Sequence, residues 1–343
     1  MTFSRESDFV LNLRLVSISG AIFLVMALLF SGCGIGDSES DSEDVVFSAD
    51  AGGNIDVYKI DSGSGESVRL TASEGDDLAP MWSPNKKLIA FISDRNGAGA
   101  LWLMDSDGES KRQVSEPSND VSAFRWSPDS DRIAVELNGA DRSISILDID
   151  TKEMTPLTSA SENVRVGDWS PDGEWVVYSV VEGPESAIRR RNPTGVDEIT
   201  LFDGSGVAPR WSHNGQWVAF SRPVEDGSVE LVVMDKDGGN VVVAAEGVHA
   251  ESHGWAPDSK KLVYARGEFS EAEIYVVGWD GKGVEKLTSN RVADGTPRWS
   301  PEGSAILFLS EGGGSYDIFS MDTDGGHQVR LTSGDELVLD ADW

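Results

Sequence analysis

A tryptophan returns down the chain at Trp82, Trp126, Trp169, Trp211, Trp255, Trp299 and Trp343, at intervals of 42 to 44 residues. The residues around it return in the same order. At the first copy, Asp77-Leu78-Ala79-Pro80-Met81-Trp82 reads as a short strand and Ser83-Pro84 opens a turn. Leu88-Ile89-Ala90-Phe91-Ile92-Ser93 follows as a buried apolar strand, and Asp94-Arg95 starts a charged loop. Leu101-Trp102-Leu103-Met104 is a second apolar strand, Asp107-Gly108 a turn, and Gln113-Val114-Ser115 a polar edge strand. Four strand signals and one aromatic anchor in a period near 43 are the sequence form of a β-propeller.

The two ends of the repeat array complement each other. Val45-Val46-Phe47-Ser48 enters at the position of a second strand, with no tryptophan strand before it. Leu337-Val338-Leu339-Asp340-Ala341-Asp342-Trp343 is a first strand with nothing after it. Six whole repeats plus these two parts predict an all-β, seven-bladed propeller over residues 45–343, closed by pairing of the N- and C-terminal strands. The second strands, such as Ile133-Ala134-Val135 and Ile306-Leu307-Phe308-Leu309, are apolar throughout, as strands buried on both faces are. The Pro-Asp-Gly-like turns after each tryptophan, such as Pro171-Asp172-Gly173, are assigned a structural role only.

Residues 1–32 read as a signal peptide rather than as part of the fold. Arg5 and Arg14 precede an apolar run from Leu15 to Phe30, short for a membrane span but suited to a signal core. The run ends at Phe30-Ser31-Gly32-Cys33, which resembles the lipobox of bacterial lipoproteins, with Phe30 where Leu is usual. The resemblance implies lipidation of Cys33, the single cysteine of the chain, and therefore an extracytoplasmic, lipid-anchored protein. Gly34 in the next position implies the outer membrane if the cell has two. Residues 33–44 are Ser-rich and acidic and are expected to be a disordered tether.

Pro-x-Trp-Ser-Pro-Asp-Gly, Ile-Ala-Phe-x-Ser, Ser-Asp-Arg-x-Gly, Ile-Trp-x-Met-x-x-Asp-Gly and Leu-Thr together resemble the TolB-type propeller repeat, over residues 45–343. They are also similar to the propellers of the prolyl-oligopeptidase and dipeptidyl-peptidase IV group. Neither the α/β domain that precedes the TolB propeller nor a hydrolase domain is expected here. The resemblance implies a binding scaffold in the cell envelope, of the kind TolB provides beside a peptidoglycan-binding lipoprotein.

A net charge of -31 excludes a nucleic-acid partner and leaves the lipid as the only membrane contact. No Gly-x-Ser-x-Gly elbow occurs, so no serine-hydrolase chemistry is expected. The reading is a monomeric propeller without catalysis and without a cofactor. It would bind an envelope protein or polysaccharide through cationic groups on the partner. Its expected binding face gathers the blade-to-blade loops and the loops after the second strands: Asp77, Asp94, Arg95, Asp120, Arg165, Asp294, Glu311 and Asp335. Asp77 and Asp294 share one place, five residues before a tryptophan. The alternative is a metal-dependent polysaccharide lyase or hydrolase. At strand period, His249, Glu251 and His253 would share a face at the propeller mouth and hold a divalent metal. The basic run Arg189-Arg190-Arg191 is a second possible docking spot, for an acidic partner.

Overall fold

The computed structural model describes residues 44–343, apart from residues 51, 117, 182–185, 313 and 333–336. Cys33 and residues 1–32, expected to be a signal peptide, lie outside the described residues, as does Asp335.

The first three strands, β1 (Asp44–Asp50), β2 (Ile55–Asp61) and β3 (Ser67–Arg69), form a sheet that lacks its inner member. The next four, β4 (Asp77–Trp82), β5 (Leu88–Ser93), β6 (Ala100–Asp105) and β7 (Arg112–Gln113), form a complete antiparallel meander. Five like sheets follow on inner strands β8 (Asp120–Trp126), β12 (Val164–Trp169), β16 (Val207–Trp211), β20 (Val248–Trp255) and β24 (Asp294–Trp299). Last comes β28 (Leu337–Asp342), which pairs with β1 and completes the first sheet. The register is Val46 opposite Asp342 and Ser48 opposite Asp340. Seven four-stranded blades result, closed by the two ends.

The repeat motif is explained by what each residue bonds. The serine after tryptophan bridges its hairpin: Ser127 Oγ donates to Asp129 at 2.5 Å and accepts from the Arg132 amide at 2.9 Å. Ser170 and Ser212 do the same with Asp172 and Asn214. The hydroxyl of the Leu-Thr step accepts a third-strand amide left free at the sheet edge. Thr71 takes Val57 N at 2.8 Å, Thr158 takes Ile144 N at 2.9 Å and Thr288 takes Ile274 N at 3.0 Å. Each of these satisfies a buried donor that would otherwise cost about 1–3 kcal/mol.

The apolar core lies between the blades. One cluster joins Val46, Val57 and Leu70 of the closing blade to Trp82, Ile89, Phe91 and Met104 of the next. The tryptophans wedge these seams, with Trp126, Trp169, Trp211 and Trp255 all buried. A buried indole removes roughly 150–250 Å² from water, or about 4–6 kcal/mol as an upper bound. The indoles also link neighbours. Trp126 donates to Met81 O at 3.3 Å, Trp169 to Arg125 O at 3.1 Å, Trp255 to Arg210 O at 3.1 Å and Trp343 to Arg298 O at 3.4 Å. Trp82 donates to Asp44 O at 3.1 Å, and where the residue before the previous tryptophan is Asp, its carboxylate makes a link as well. Trp211 N donates to Asp168 and Trp82 N to Asp342, both at 3.1 Å.

Every inner strand carries a bulge against its neighbour, for example between Leu78 and Met81 and between Val207 and Arg210. Ala79, Ala208 and Thr296 take left-handed backbone there, with φ of 50°, 52° and 47°. Bulges re-aim the side chains that follow them, and here those side chains point at the axis.

Candidate functional site

Side chains alternate along a strand. Each tryptophan turns outward into a seam, so the residue before it turns inward. The seven inward residues are Met81, Arg125, Asp168, Arg210, Gly254, Arg298 and Asp342, and all seven line one axial cavity of about 580 Å³. The rim is formed by Pro84, Pro128, Pro171, His213, Pro257 and Pro301. These residues belong to the turns given a structural role only from sequence, and they also surround the mouth.

The ring is cationic inside an acidic protein. Three guanidiniums face Asp168 and Asp342 in the ring, and Glu251, paired with Arg165, also lines the cavity. The ring carboxylates are already engaged, Asp168 by the amides of Trp169 and Trp211, Asp342 by the Trp82 amide. Arg298 Nη1 lies 3.5 Å from Asp342. Arg125 donates to Phe124 O at 2.7 Å and Arg210 to Gly167 O at 2.5 Å. Among the described residues neither Arg125 nor Arg210 has a carboxylate at ion-pair distance. Burial, then the charges of Arg210 and Arg298, push Arg125 down to about 9. Burial lowers Arg210 as well, and burial raises Asp168 against the pull of Arg210 and Arg125.

Because folding depresses Arg125, the unfolded chain holds that proton more tightly. The charged group therefore costs stability at every pH below about 9, and the cost fades as pH rises above that value. Arg125→Gln, which keeps a donor for Phe124 O, is expected to melt higher than wild type at neutral pH. Its advantage should shrink above about pH 9. Melting curves of both proteins across that range check this, and a variant that melts lower at neutral pH overturns it.

The expected metal triad is not assembled. β20 bulges between Val248 and His253, which breaks the period-two alternation that would have put three side chains on one face. His249 Nε2 bonds Gly267 O at 2.8 Å and its ring packs 4.6 Å from Phe269. Glu251 sits at φ 67° with its carboxylate 3.5 Å from Arg165. His253 is buried beside Ser221 Oγ at 3.3 Å, and burial followed by the Arg210 charge pushes it down to about 3, so it is neutral. Among the described residues no group of three His, Cys, Asp or Glu is placed to hold a metal.

The acidic loop face is corrected in part. Its residues lie at the opposite ends of the inner strands from the tryptophan turns. Asp77 is fully buried, with both oxygens 2.8 Å from Arg95 Nη2. Asp294 is also fully buried, accepting from Ser310 Oγ at 2.6 Å and Asn290 Nδ2 at 2.8 Å. Both tie strand starts to loops and offer nothing to a partner. Asp94 is exposed and accepts the Asp76 amide at 2.7 Å, while Asp120 is exposed with Asn138 at 3.3 Å. Arg165 is spent on Glu251, and Glu311 is half-buried at the end of its strand. The basic run fails as a docking spot too. In β14 (Ala187–Arg191), Arg190 stacks 4.5 Å over Trp175 and pairs with Asp237 at 3.0 Å, Arg189 lies 3.7 Å from Glu198, and Arg191 pairs with Glu198.

The channel residues were within reach of the sequence, because they occupy one fixed place, the residue before each tryptophan. They escape notice because that place is the one where the repeats disagree.

A family model described as the TolB beta propeller domain matches residues 37–207 and 194–343. Curated relatives include the Tol-Pal system protein TolB of Anaeromyxobacter dehalogenans, 26% identical over 190 residues, covering 54% of this chain and 44% of that one. They also include the uncharacterized peptidase YuxL of Bacillus subtilis, 28% identical over 164 residues, covering 37% and 25%. The alignments thus span less than half the length of these two relatives. Among solved structures, an oligogalacturonate lyase in complex with manganese superposes with a TM-score of 0.68 at 14% identity, covering 82% of this chain and 86% of that one. TolB from Acinetobacter baumannii gives 0.58 at 19% identity, covering 73% and 64%. At such identities these two structures speak for the fold alone.

Proposed function

The chain belongs to the TolB beta propeller domain family, and from that premise we propose a binding scaffold that takes a protein partner at the turn end of its channel and performs no chemistry of its own. The supporting observation is the cavity of about 580 Å³ behind a ring of turn prolines, with its walls fixed by the inter-blade bonds. Rigid walls lower the ordering cost of binding. The polar groups that could do chemistry there are held otherwise: His253 is neutral and buried, and Asp168 and Asp342 accept tryptophan amides. The lyase or hydrolase alternative needs a ligand set that residues 249–253 do not bring together. The location in this reading is extracytoplasmic, with Cys33 carrying the lipid.

A photo-crosslinking residue at position 171, at the mouth, tests both parts in intact cells. The expected result is a membrane-bound protein that yields a discrete protein adduct. The same protein with Cys33→Ser should leave the membrane fraction. Adducts formed only from position 94, on the loop face, would overturn the site, and a membrane-bound, processed Cys33→Ser protein would overturn the anchor.

A further inference from the structure

We propose that the channel is a carboxylate-binding site, built to receive an acidic segment of a partner polypeptide between Arg125, Arg210 and Arg298. This rests on the scaffold reading and adds the chemistry of what the scaffold holds.

The three arginines occupy alternate blades, with Asp168 between the first two and Gly254 between the second two. Gly254 is not required by packing, since a Cβ there would meet nothing nearer than 3.9 Å. Its lack of a side chain leaves the wall open between Arg210 and Arg298. Arg125 and Arg210 each spend one Nη on a backbone carbonyl, which fixes the guanidinium and leaves its other N–H groups to the cavity. Arginine forks match carboxylates two bonds at a time, and such charge-assisted bonds are about twice as strong as neutral ones. Burial is the main cause that depresses Arg125 and the charges of Arg210 and Arg298 add to it, and an anion placed between the guanidiniums would offset both. The chain's net charge of -31 opposes this only weakly inside the channel. Outer carboxylates are screened beyond about 8 Å at physiological salt, while a cleft walled by low-dielectric protein strengthens the charges that line it.

The rim favours a polypeptide. Prolines at Pro84, Pro128, Pro171 and Pro301 are exposed around the mouth, a flat apolar collar for an extended backbone.

The test measures binding of hexaglutamate, hexaglutamine and citrate to purified full-length protein by calorimetry. The panel is wild type, Arg125→Gln, Arg298→Gln and the double variant, each checked for a single cooperative melt. Hexaglutamate is expected to bind wild type and hexaglutamine not to bind. Each single substitution should weaken hexaglutamate binding about tenfold, the scale of one lost charge-assisted contact. Equal binding of hexaglutamate to the double variant, or none to wild type, overturns the proposal. Binding of citrate without hexaglutamate overturns the peptide assignment. A position-171 adduct that survives in the double variant would sink the carboxylate inference and leave the scaffold reading standing. Hexaglutamate binding with no adduct in cells would do the reverse.

Discussion

Deleting residues 337–343 is expected to lower the melting temperature by about 10 °C or more, or to yield aggregate in place of soluble protein. The loss falls on one seam. Val338 and Trp343 are buried in the cluster that joins β28 to Val45, Phe47, Leu307 and Ile318. Asp340 accepts from Ser48 Oγ at 2.7 Å and from the Ala79 amide at 3.1 Å, so one carboxylate joins the closing blade to its neighbour. Trp343→Ala alone should cost about 3–5 kcal/mol. At about 2 °C per kcal/mol for a domain this large, the full deletion reaches the stated drop. It also leaves β1 as a long unpaired edge, which invites association. Thermal melts with light scattering on wild type, Trp343→Ala and the deletion settle it, and an unchanged melt for the deletion would show that the ring does not depend on β28.

Asp77→Lys should be nearly as damaging, although a loop carboxylate in a chain this acidic looks dispensable. Asp77 is fully buried and its charge is met by Arg95, whose guanidinium lies 4.3 Å over Trp102 and whose Nε donates to Ser93 Oγ at 2.7 Å. Removing one member of a buried pair strands the other and costs about 3–5 kcal/mol. Lysine adds a second positive charge to the same pocket. Arg95→Ala should fall in that range, and Asp77→Asn should fall well below it because the amide still accepts from Arg95. Urea midpoints for the three variants check the order. If Asp77→Lys unfolds like wild type, the pair is ornamental and Asp77 returns to the list of residues available to a partner.

These two cases mark what could be read from the sequence. The fold was legible because seven noisy copies of one unit average into a clear signal, and because the two ends supply matching fragments of it. The Asp residues before Trp82 and Trp299 misled because their recurrence is the recurrence of a strand start, where a carboxylate is buried under Arg95 or beside Asn290. Residues 249–253 misled because the bulge of β20 is set by contact with a neighbouring strand, and a period-two count cannot register it. Arg125, Arg210 and Arg298 went unread for the opposite reason. A motif is what copies share, and a binding surface on a repeated scaffold is made where they differ.

The pairing of β1 with β28 also sets a timetable. Ser48 bonds to Asp340 across 292 positions of chain. A ribosome adding about 5–20 residues per second needs roughly 15–60 s to supply that partner after Ser48 has been made. The six blades whose inner strands run from β4 to β24 are each made of strands adjacent in sequence and can assemble as they emerge. β1 must wait for β28, with an open β edge for the whole interval. A stall before β28 is made therefore leaves the edge of β1 open, which is where a protease or a holding chaperone would find it.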